Sequence, residues 1–170
     1  MEFSIVIPAY NEEEAIGVVI ERCLKEKNNI INSTNVDDVE IIVVNDGSND
    51  KTKAISESYE AVKVISHEKN LGFGSALKTG FASTSGDIIG FLDGDGTCDP
   101  VYFIGLINEI ERENADIALA SRMGPGSQMP KIRRLGNKIF ASLISLIANT
   151  YISDSSSGFR VLKRDSLSKL

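Results

Sequence analysis

The sequence has little histidine, little cysteine and no surplus of basic residues, and each shortage removes a class of function. His67 is the only histidine among 170 residues. A Ser-His-Asp triad would have to be built on it, and no nucleophile-elbow pattern accompanies it, so it reads as a structural residue. Cys23 and Cys98 lie far apart and show neither the paired spacing of a zinc site nor a disulfide framework, which fits a reducing cytoplasm. Lys and Arg number 18 against 24 Asp and Glu, for a net charge of −6. No basic field attracts nucleic-acid phosphates, and nucleic acid is not expected as a partner. No stretch reaches the roughly 20 apolar residues that span a bilayer. Met1 leads straight into a β-branched run, with no basic leader, apolar region or cleavage site. From 162 onward the sequence reads as a helix that starts and then stops, so a longer protein is expected. The final Ser168-Lys169-Leu170 has the form of a peroxisomal address, a form that truncation also produces by chance.

What is present is the material of one domain. Hydrophobic residues make up 42% and charged residues 25%, enough for a single core over residues 1–170. Short β-branched runs at 3–8, 40–45, 61–66, 87–93 and 116–120 alternate with longer helical stretches, which predicts an α/β fold with a mostly parallel sheet. Asn11 with Glu14 three residues on forms a capping-box signature, and Asp99-Pro100 supplies a cap and a proline for a later helix. Residues 123–130 read as a flap leading into the basic run 131–134. A helix is predicted over 135–152, with Lys138, Ser142, Ser145 and Asn149 on its polar side and a broad apolar face.

In open α/β sheets, ligands bind at the carboxyl ends of strands. Those ends are Pro8-Ala9-Tyr10-Asn11-Glu12, Asn45-Asp46-Gly47-Ser48, His67-Glu68-Lys69-Asn70 and Asp93-Gly94-Asp95-Gly96, and they should converge on one cleft. Asp93 and Asp95 emerge from a near-apolar strand on one side of the sheet edge. Two such carboxylates repel, and a hard divalent cation such as Mg²⁺ or Mn²⁺ bridging a diphosphate would relieve them. The alternative is a solvated turn. Asp46 can accept from a base N–H or a ribose hydroxyl, or belong to an ordinary strand-to-helix turn. Tyr10 and Glu12 can stack on and hydrogen-bond a nucleobase, while Glu13 and Glu14 favour a helix N-terminus. Residues 72–79 imitate two phosphate loops and match neither, because Leu77 stands where both need glycine. Lys78 could still reach a phosphate, and Asn70 reads as a cap. Arg122, Arg133, Arg134 and Arg160 are candidates to hold phosphate oxygens, or are surface charges.

Taken in series, Ser4-Ile5-Val6-Ile7-Pro8-Ala9-Tyr10-Asn11-Glu12, Ile42-Val43-Val44-Asn45-Asp46-Gly47-Ser48, Asn70-Leu71-Gly72-Phe73-Gly74 and Leu92-Asp93-Gly94-Asp95 resemble family 2 glycosyltransferases. Ala120-Ser121-Arg122, Arg134-Leu135-Gly136-Asn137 and Asp154 through Ser157-Gly158-Phe159-Arg160 are similar to the polyprenyl-phosphate hexosyltransferase branch, typified by dolichyl-phosphate mannose synthase. The chain departs from common forms at Asn45, Gly94 and Thr97, where many members carry Asp, Ala and Gln.

The resemblance implies a glycosyltransferase A-type fold and Mg²⁺ or Mn²⁺ held at Asp93, Asp95 and Thr97. It implies a nucleotide-sugar site of Pro8, Ala9, Tyr10, Glu12, Val44, Asp46, Asp93, Gly94, Asp95 and Arg122. Lys78, Arg134 and Arg160 are expected near acceptor or phosphate, and Asp95 and Asp154 as catalytic groups. The expected reaction is inverting transfer of a hexose from GDP-mannose or UDP-glucose to a polyprenyl phosphate, at the cytoplasmic face of a membrane contacted through a part beyond Leu170. The alternatives are a soluble transferase acting on a sugar or protein hydroxyl, a sugar nucleotidyltransferase, whose Gly-rich, Arg-Lys-containing first loop this chain lacks, and a non-catalytic nucleotide-binding module.

Overall fold

The computed structural model describes residues 1–121, 131–148, 154 and 157–167. Among them six strands, β1 (Glu2–Ala9), β2 (Asp38–Asn45), β3 (Lys63–Ser66), β4 (Ile88–Phe91), β5 (Ile117–Leu119) and β6 (Arg160–Lys163), form one sheet in the order β3-β2-β1-β4-β6-β5. The helices are α1 (Ile16–Ser33), α2 (Thr52–Glu57), α3 (Phe73–Ala82), α4 (Tyr102–Glu113), α5 (Lys131–Ala148) and the short α6 (Arg164–Leu167). Strands β1 to β4 pair in parallel, and β6 runs antiparallel between β4 and β5.

Strand β1 is buried from Phe3 through Ala9, because a central parallel strand is covered on both faces. Phe3, Ile5 and Ile7 pack with Ile16, Val19 and Ile20 of α1 and Phe103 and Ile107 of α4. Val6 faces the other way, with Val44, Ile89 and Ala76 of α3. Helix α3 comes close to the sheet because position 80 is glycine: a Cβ there would collide with Val6. Phe3 and Phe103 meet edge to face at 5.0 Å, and Phe103 lies 4.4 Å from Phe159. Phe159 therefore locks the segment before β6 into the main core, and truncating a ring so buried costs about 3–5 kcal/mol.

The strand order reverses direction between β1 and β4. A crevice opens at such a switch point, beyond the carboxyl ends of the two strands. Pro8 to Glu12 and Asp93 to Asp95 leave the sheet on its two sides.

Five of the strands lie where expected: β1 and β2 run longer, from Glu2 to Ala9 and from Asp38 to Asn45, while β3, β4 and β5 are shorter, β3 starting at Lys63 and β4 stopping at Phe91. β6 was not expected: the sequence from 162 onward reads as the start of a helix, whereas Leu162 and Lys163 end this strand. Helix α5 begins at Lys131, so the basic run belongs to its first turn. The flap at 123–130 and the expected helical residues 149–152 lie outside the described residues. The capping box does not form. Asn11 takes a left-handed φ of 56°, its side chain accepts from the Asn49 N–H, and α1 starts at Ile16 with no side-chain cap. The expected Asp99-Pro100 start of α4 does not form either: Asp99 accepts from the Val101 N–H at 3.1 Å in the preceding turn, and α4 begins at Tyr102 with Val101 at its cap and no side-chain cap.

Helix α5 is inverted relative to an ordinary surface helix. Among its described side chains the buried ones are Asn137 and Ala141, whereas Leu135, Phe140, Leu143 and Ile147 face outward, Ile147 at 85% exposure. No helix among the described residues is long and apolar enough to cross a membrane.

Candidate active site

The crevice holds a cleft of about 300 Å³. Pro8, Ala9, Tyr10 and Glu12 line it from the end of β1, and Asp93, Gly94 and Asp95 from the end of β4. Asp46 contributes from β2, and Asn70, Phe73 and Ala76 close the side formed by α3. Asn70 ends one of the four strand-end segments expected to converge here, whereas Phe73 and Ala76 are additions that the phosphate-loop resemblance of residues 72–79 does not predict.

The loops around the cleft are laced together by side chains. Asn11 N–H donates to Ser48 Oγ at 3.0 Å, and Glu12 N–H to Thr52 Oγ1 at 2.8 Å. Asp50 accepts from the Glu13 N–H, while Glu13 accepts from the Lys51 N–H. Gly47, at φ 70°, lies so close to the Lys69 and Asn70 backbone that no side chain fits. These contacts fix the Glu12 segment over the β2 turn and leave its carboxylate facing Asp93 and Asp95. Burial, followed by the charges of Asp95, Asp50 and Asp93, raises the Glu12 carboxyl above its ordinary value. The cleft thus gathers Glu12, Asp93 and Asp95 into one acidic region.

Asp46 is nearly fully buried, and its oxygens meet donors from the next loop. Oδ1 accepts from His67 Nδ1 at 2.6 Å and Leu71 N–H at 2.9 Å, and Oδ2 from Gly72 N–H at 2.8 Å. Burial raises the Asp46 carboxyl, but the Leu71 amide, His67 and the Gly72 amide outweigh burial and hold it below its ordinary value. The single histidine has the structural place expected of it.

On the opposite wall, Thr97 donates to Asp95 Oδ1 from both its N–H, at 3.0 Å, and its hydroxyl, at 2.7 Å. Arg22 of α1 steadies this turn through the Gly96 carbonyl at 3.2 Å. Asp93 is backed by Gly158: a Cβ there would stand 2.5 Å from Asp93 Oδ2. Antiparallel pairing explains the approach, because the N-terminal end of β6 lies at the same sheet edge as the carboxyl end of β4. Asp154 is fully buried and accepts from Asn137 Nδ2 at 2.8 Å. Arg160, half-buried on β6, donates through Nε to the Ser157 carbonyl at 2.9 Å.

Among the described residues, six expected ones do not line the cleft: Val44, Lys78, Thr97, Arg134, Asp154 and Arg160. Val44 is wholly buried in the core beneath α3, beside Gly80, because its side chain lies on the sheet face covered by α3, with Val6, Ile89 and Ala76. Lys78 is exposed and lies two residues beyond Ala76, so the 100° helical step carries it away from the lined wall. Arg134 is half-buried on α5 and does not line the cleft. Arg122 lies outside the described residues.

The model for glycosyl transferase family 2 matches residues 4–170. The chain belongs to that family. It is 34% identical to the dolichol-phosphate mannosyltransferase of Pyrococcus furiosus over 97% of its own length and 47% of the relative's. It is 31% identical to a dolichyl-phosphate β-glucosyltransferase of Trichomonas vaginalis, covering 96% of this chain and 53% of that one. The chain therefore spans about half the length of these two relatives. Among solved structures, it superposes on the glucosyl-3-phosphoglycerate synthase of Mycobacterium tuberculosis in complex with Mn²⁺, uridine diphosphate and phosphoglyceric acid. The TM-score is 0.75 at 26% identity, over 99% of this chain and 58% of that one. As a family 2 glycosyltransferase with an A-type fold, the chain is built as an enzyme domain.

Proposed function

We propose that the cleft binds a nucleotide-diphosphate sugar with Mg²⁺ or Mn²⁺, and that the protein moves its hexose, with inversion, to a polyprenyl phosphate. The observation that carries this reading is the Asp93–Asp95 pair facing Glu12 across the switch-point crevice. Among the described residues, no three His, Cys, Asp or Glu side chains converge to hold a metal unaided. The two carboxylates nevertheless suit a hard cation whose remaining ligands would come from diphosphate oxygens, and such a cation would offset the part of the Glu12 shift that, after burial, comes from the charges of Asp95 and Asp93. Asp93 and Asp95 are its proposed ligands, with Thr97 orienting Asp95. When bound, the cation supplies Lewis-acid stabilisation to the departing diphosphate.

The protein's own residues divide the remaining work. Pro8, Ala9, Tyr10 and Asp46 receive the nucleoside, Gly94 lets the backbone approach the diphosphate, and Arg122 extends the donor site. The bond from the anomeric carbon to the diphosphate breaks as a bond to an acceptor phosphate oxygen forms on the opposite face. That oxygen is already anionic near neutrality, so alignment does most of the work. Asp154, held by Asn137, orients sugar or acceptor, and Arg134 and Arg160 hold the acceptor phosphate. Two things favour a lipid acceptor: the names of the dolichyl-phosphate relatives and the outward apolar face of α5, which suits the cytoplasmic surface of a membrane.

A second reading has its own support. The structural neighbour was solved with phosphoglyceric acid, a water-soluble acid, so a soluble phosphorylated acceptor is the competing substrate class. Nucleotide-sugars are assayed with Mn²⁺ against membrane extracts and against soluble acceptors, for the wild type and Asp95→Asn. Transfer to extractable lipid, lost in Asp95→Asn, supports the proposal. Transfer to soluble acceptors alone supports the second reading, and wild-type turnover in Asp95→Asn sinks the metal site.

A further inference from the structure

The geometry points to His67 as a positioning residue for donor recognition, holding Asp46 so that one carboxylate lone pair is left for the nucleoside. The inference rests on the donor-site reading above and adds a residue that does not line the cleft. The Asp46 and His67 side chains are only 4% and 10% exposed, yet Asp46 borders the cleft. Its hydrogen-bond inventory is nearly closed. A carboxylate oxygen offers two lone pairs, and Oδ1 spends both, on His67 Nδ1 and the Leu71 amide. Oδ2 spends one on the Gly72 amide. The acceptor left over is the second lone pair of Oδ2, which suits a single N–H or O–H donor on a ligand.

His67 decides which oxygen that is. Its contact to Oδ1, at 2.6 Å, is shorter than either amide contact. The ring is also held from behind: Nε2 is 2.9 Å from Thr79 Oγ1, and the His67 backbone N–H donates to the Asn45 carbonyl at 2.9 Å. Because Asp46 is kept ionised, Nδ1 carries the hydrogen and Nε2 accepts from the threonine hydroxyl. If the ring protonates, the same hydroxyl turns and accepts instead, so the clamp holds in both charge states. One imidazole thus joins the end of β2, the 67–72 loop and α3, whose first turn supplies Phe73 and Ala76 to the facing wall. Without it, Oδ1 regains an open lone pair, only the Leu71 and Gly72 amides hold the carboxylate, and the nucleoside meets two competing acceptors in place of one.

The test separates the nucleoside end of the ligand from its phosphate end. Uridine diphosphate, guanosine diphosphate and pyrophosphate, each with Mn²⁺, are titrated calorimetrically into the wild type and into His67→Ala, His67→Asn and His67→Gln. Asn keeps a donor attached at the γ carbon, where Nδ1 stands, whereas Gln carries its amide one bond further, towards Thr79. Losing the clamp should weaken the preferred nucleoside diphosphate about tenfold, the weight of one charge-assisted hydrogen bond. Pyrophosphate should stay within about twofold of wild type. His67→Asn should recover most of the affinity and His67→Gln little of it. Unchanged nucleotide affinity in His67→Ala, or an equal loss for pyrophosphate, overturns the inference. If His67→Ala does not fold, the remaining pair decides, and equal affinities of His67→Asn and His67→Gln overturn it. A wild-type chain that binds none of the three ligands overturns the donor-site reading and this inference with it, a failure visible before any variant is compared.

Discussion

Replacing Gly158 by alanine places one methyl group against the Asp93 carboxylate and leaves the rest of the fold alone. The new Cβ would stand 2.5 Å from Oδ2 and 3.0 Å from Oδ1, while ordinary contact begins at 3.4 Å. The carboxylate must therefore retreat by about 0.9 Å, and a displacement near 1 Å at a reacting centre costs on the order of 100-fold in rate, or about 2.7 kcal/mol of barrier. Stability should change far less. The φ of Gly158 lies outside the left-handed region, and the atoms it would meet are the end of a side chain that can turn aside. We expect Gly158→Ala to melt within about 1 kcal/mol of wild type while Mn²⁺-dependent sugar transfer falls about 100-fold. Hexose transfer is followed by product mass, with a thermal melt on the same preparation. Wild-type turnover in a normally folded variant would refute the placement of Asp93 against residue 158, and collapse of the fold would refute the claim that the contact is confined to the site.

Three further substitutions probe the walls of the cleft. Gly47→Ala forces a side chain onto a φ of 70° and into the Lys69 and Asn70 backbone, so urea unfolding should show a loss of about 2–4 kcal/mol. Glu12→Gln should raise the melting midpoint at pH 7 without divalent cations. The folded-state Glu12 carboxyl titrates above its unfolded value, so its penalty is complete at neutral pH, fades as pH falls through that window, and should shrink when Mn²⁺ is added. Asp46→Asn sets an amide NH₂ among the His67, Leu71 and Gly72 donors and should cost about 1–3 kcal/mol at neutral pH. Because the Asp46 carboxyl is depressed, its contribution is present above the unfolded value and lost as pH falls through the folded one. The two proteins should converge in stability in acid, which a pH series of denaturant melts would show.

The parallel half of the sheet was readable because buried parallel strands are short, β-branched and closed by polar turns. Asp93 to Asp95 and Pro8 to Glu12 could be placed in one cleft from the strand-end rule alone. β6 could not be read that way. Arg160-Val161-Leu162-Lys163 offers two buried residues, too few to show a period, and a charged helical turn follows it. The lost capping box has a similar origin, since the side chain of Asn11 serves residue 49 across space and not residue 14 along the chain. Val44 was misjudged because a motif names consecutive residues, while a strand sends neighbours to opposite faces. His67 was readable only as structural: its partners are 21 residues back and 12 ahead, and no local pattern records them.

The antiparallel β6 also sets an order of assembly. Strands β1 to β4 can pair as they emerge, each with a partner already made. The sheet edge beside β4 waits for residues some 75 positions later, with Ile88 opposite Lys163, and closing so long a loop is slow compared with local pairing. Gly158 reaches Asp93 only when that closure is complete. The β2 side of the cleft can therefore exist in a partly folded chain, but Asp93 receives its backing only when β6 closes, so a chain folded up to β4 alone would present the acidic pair on an unfinished wall.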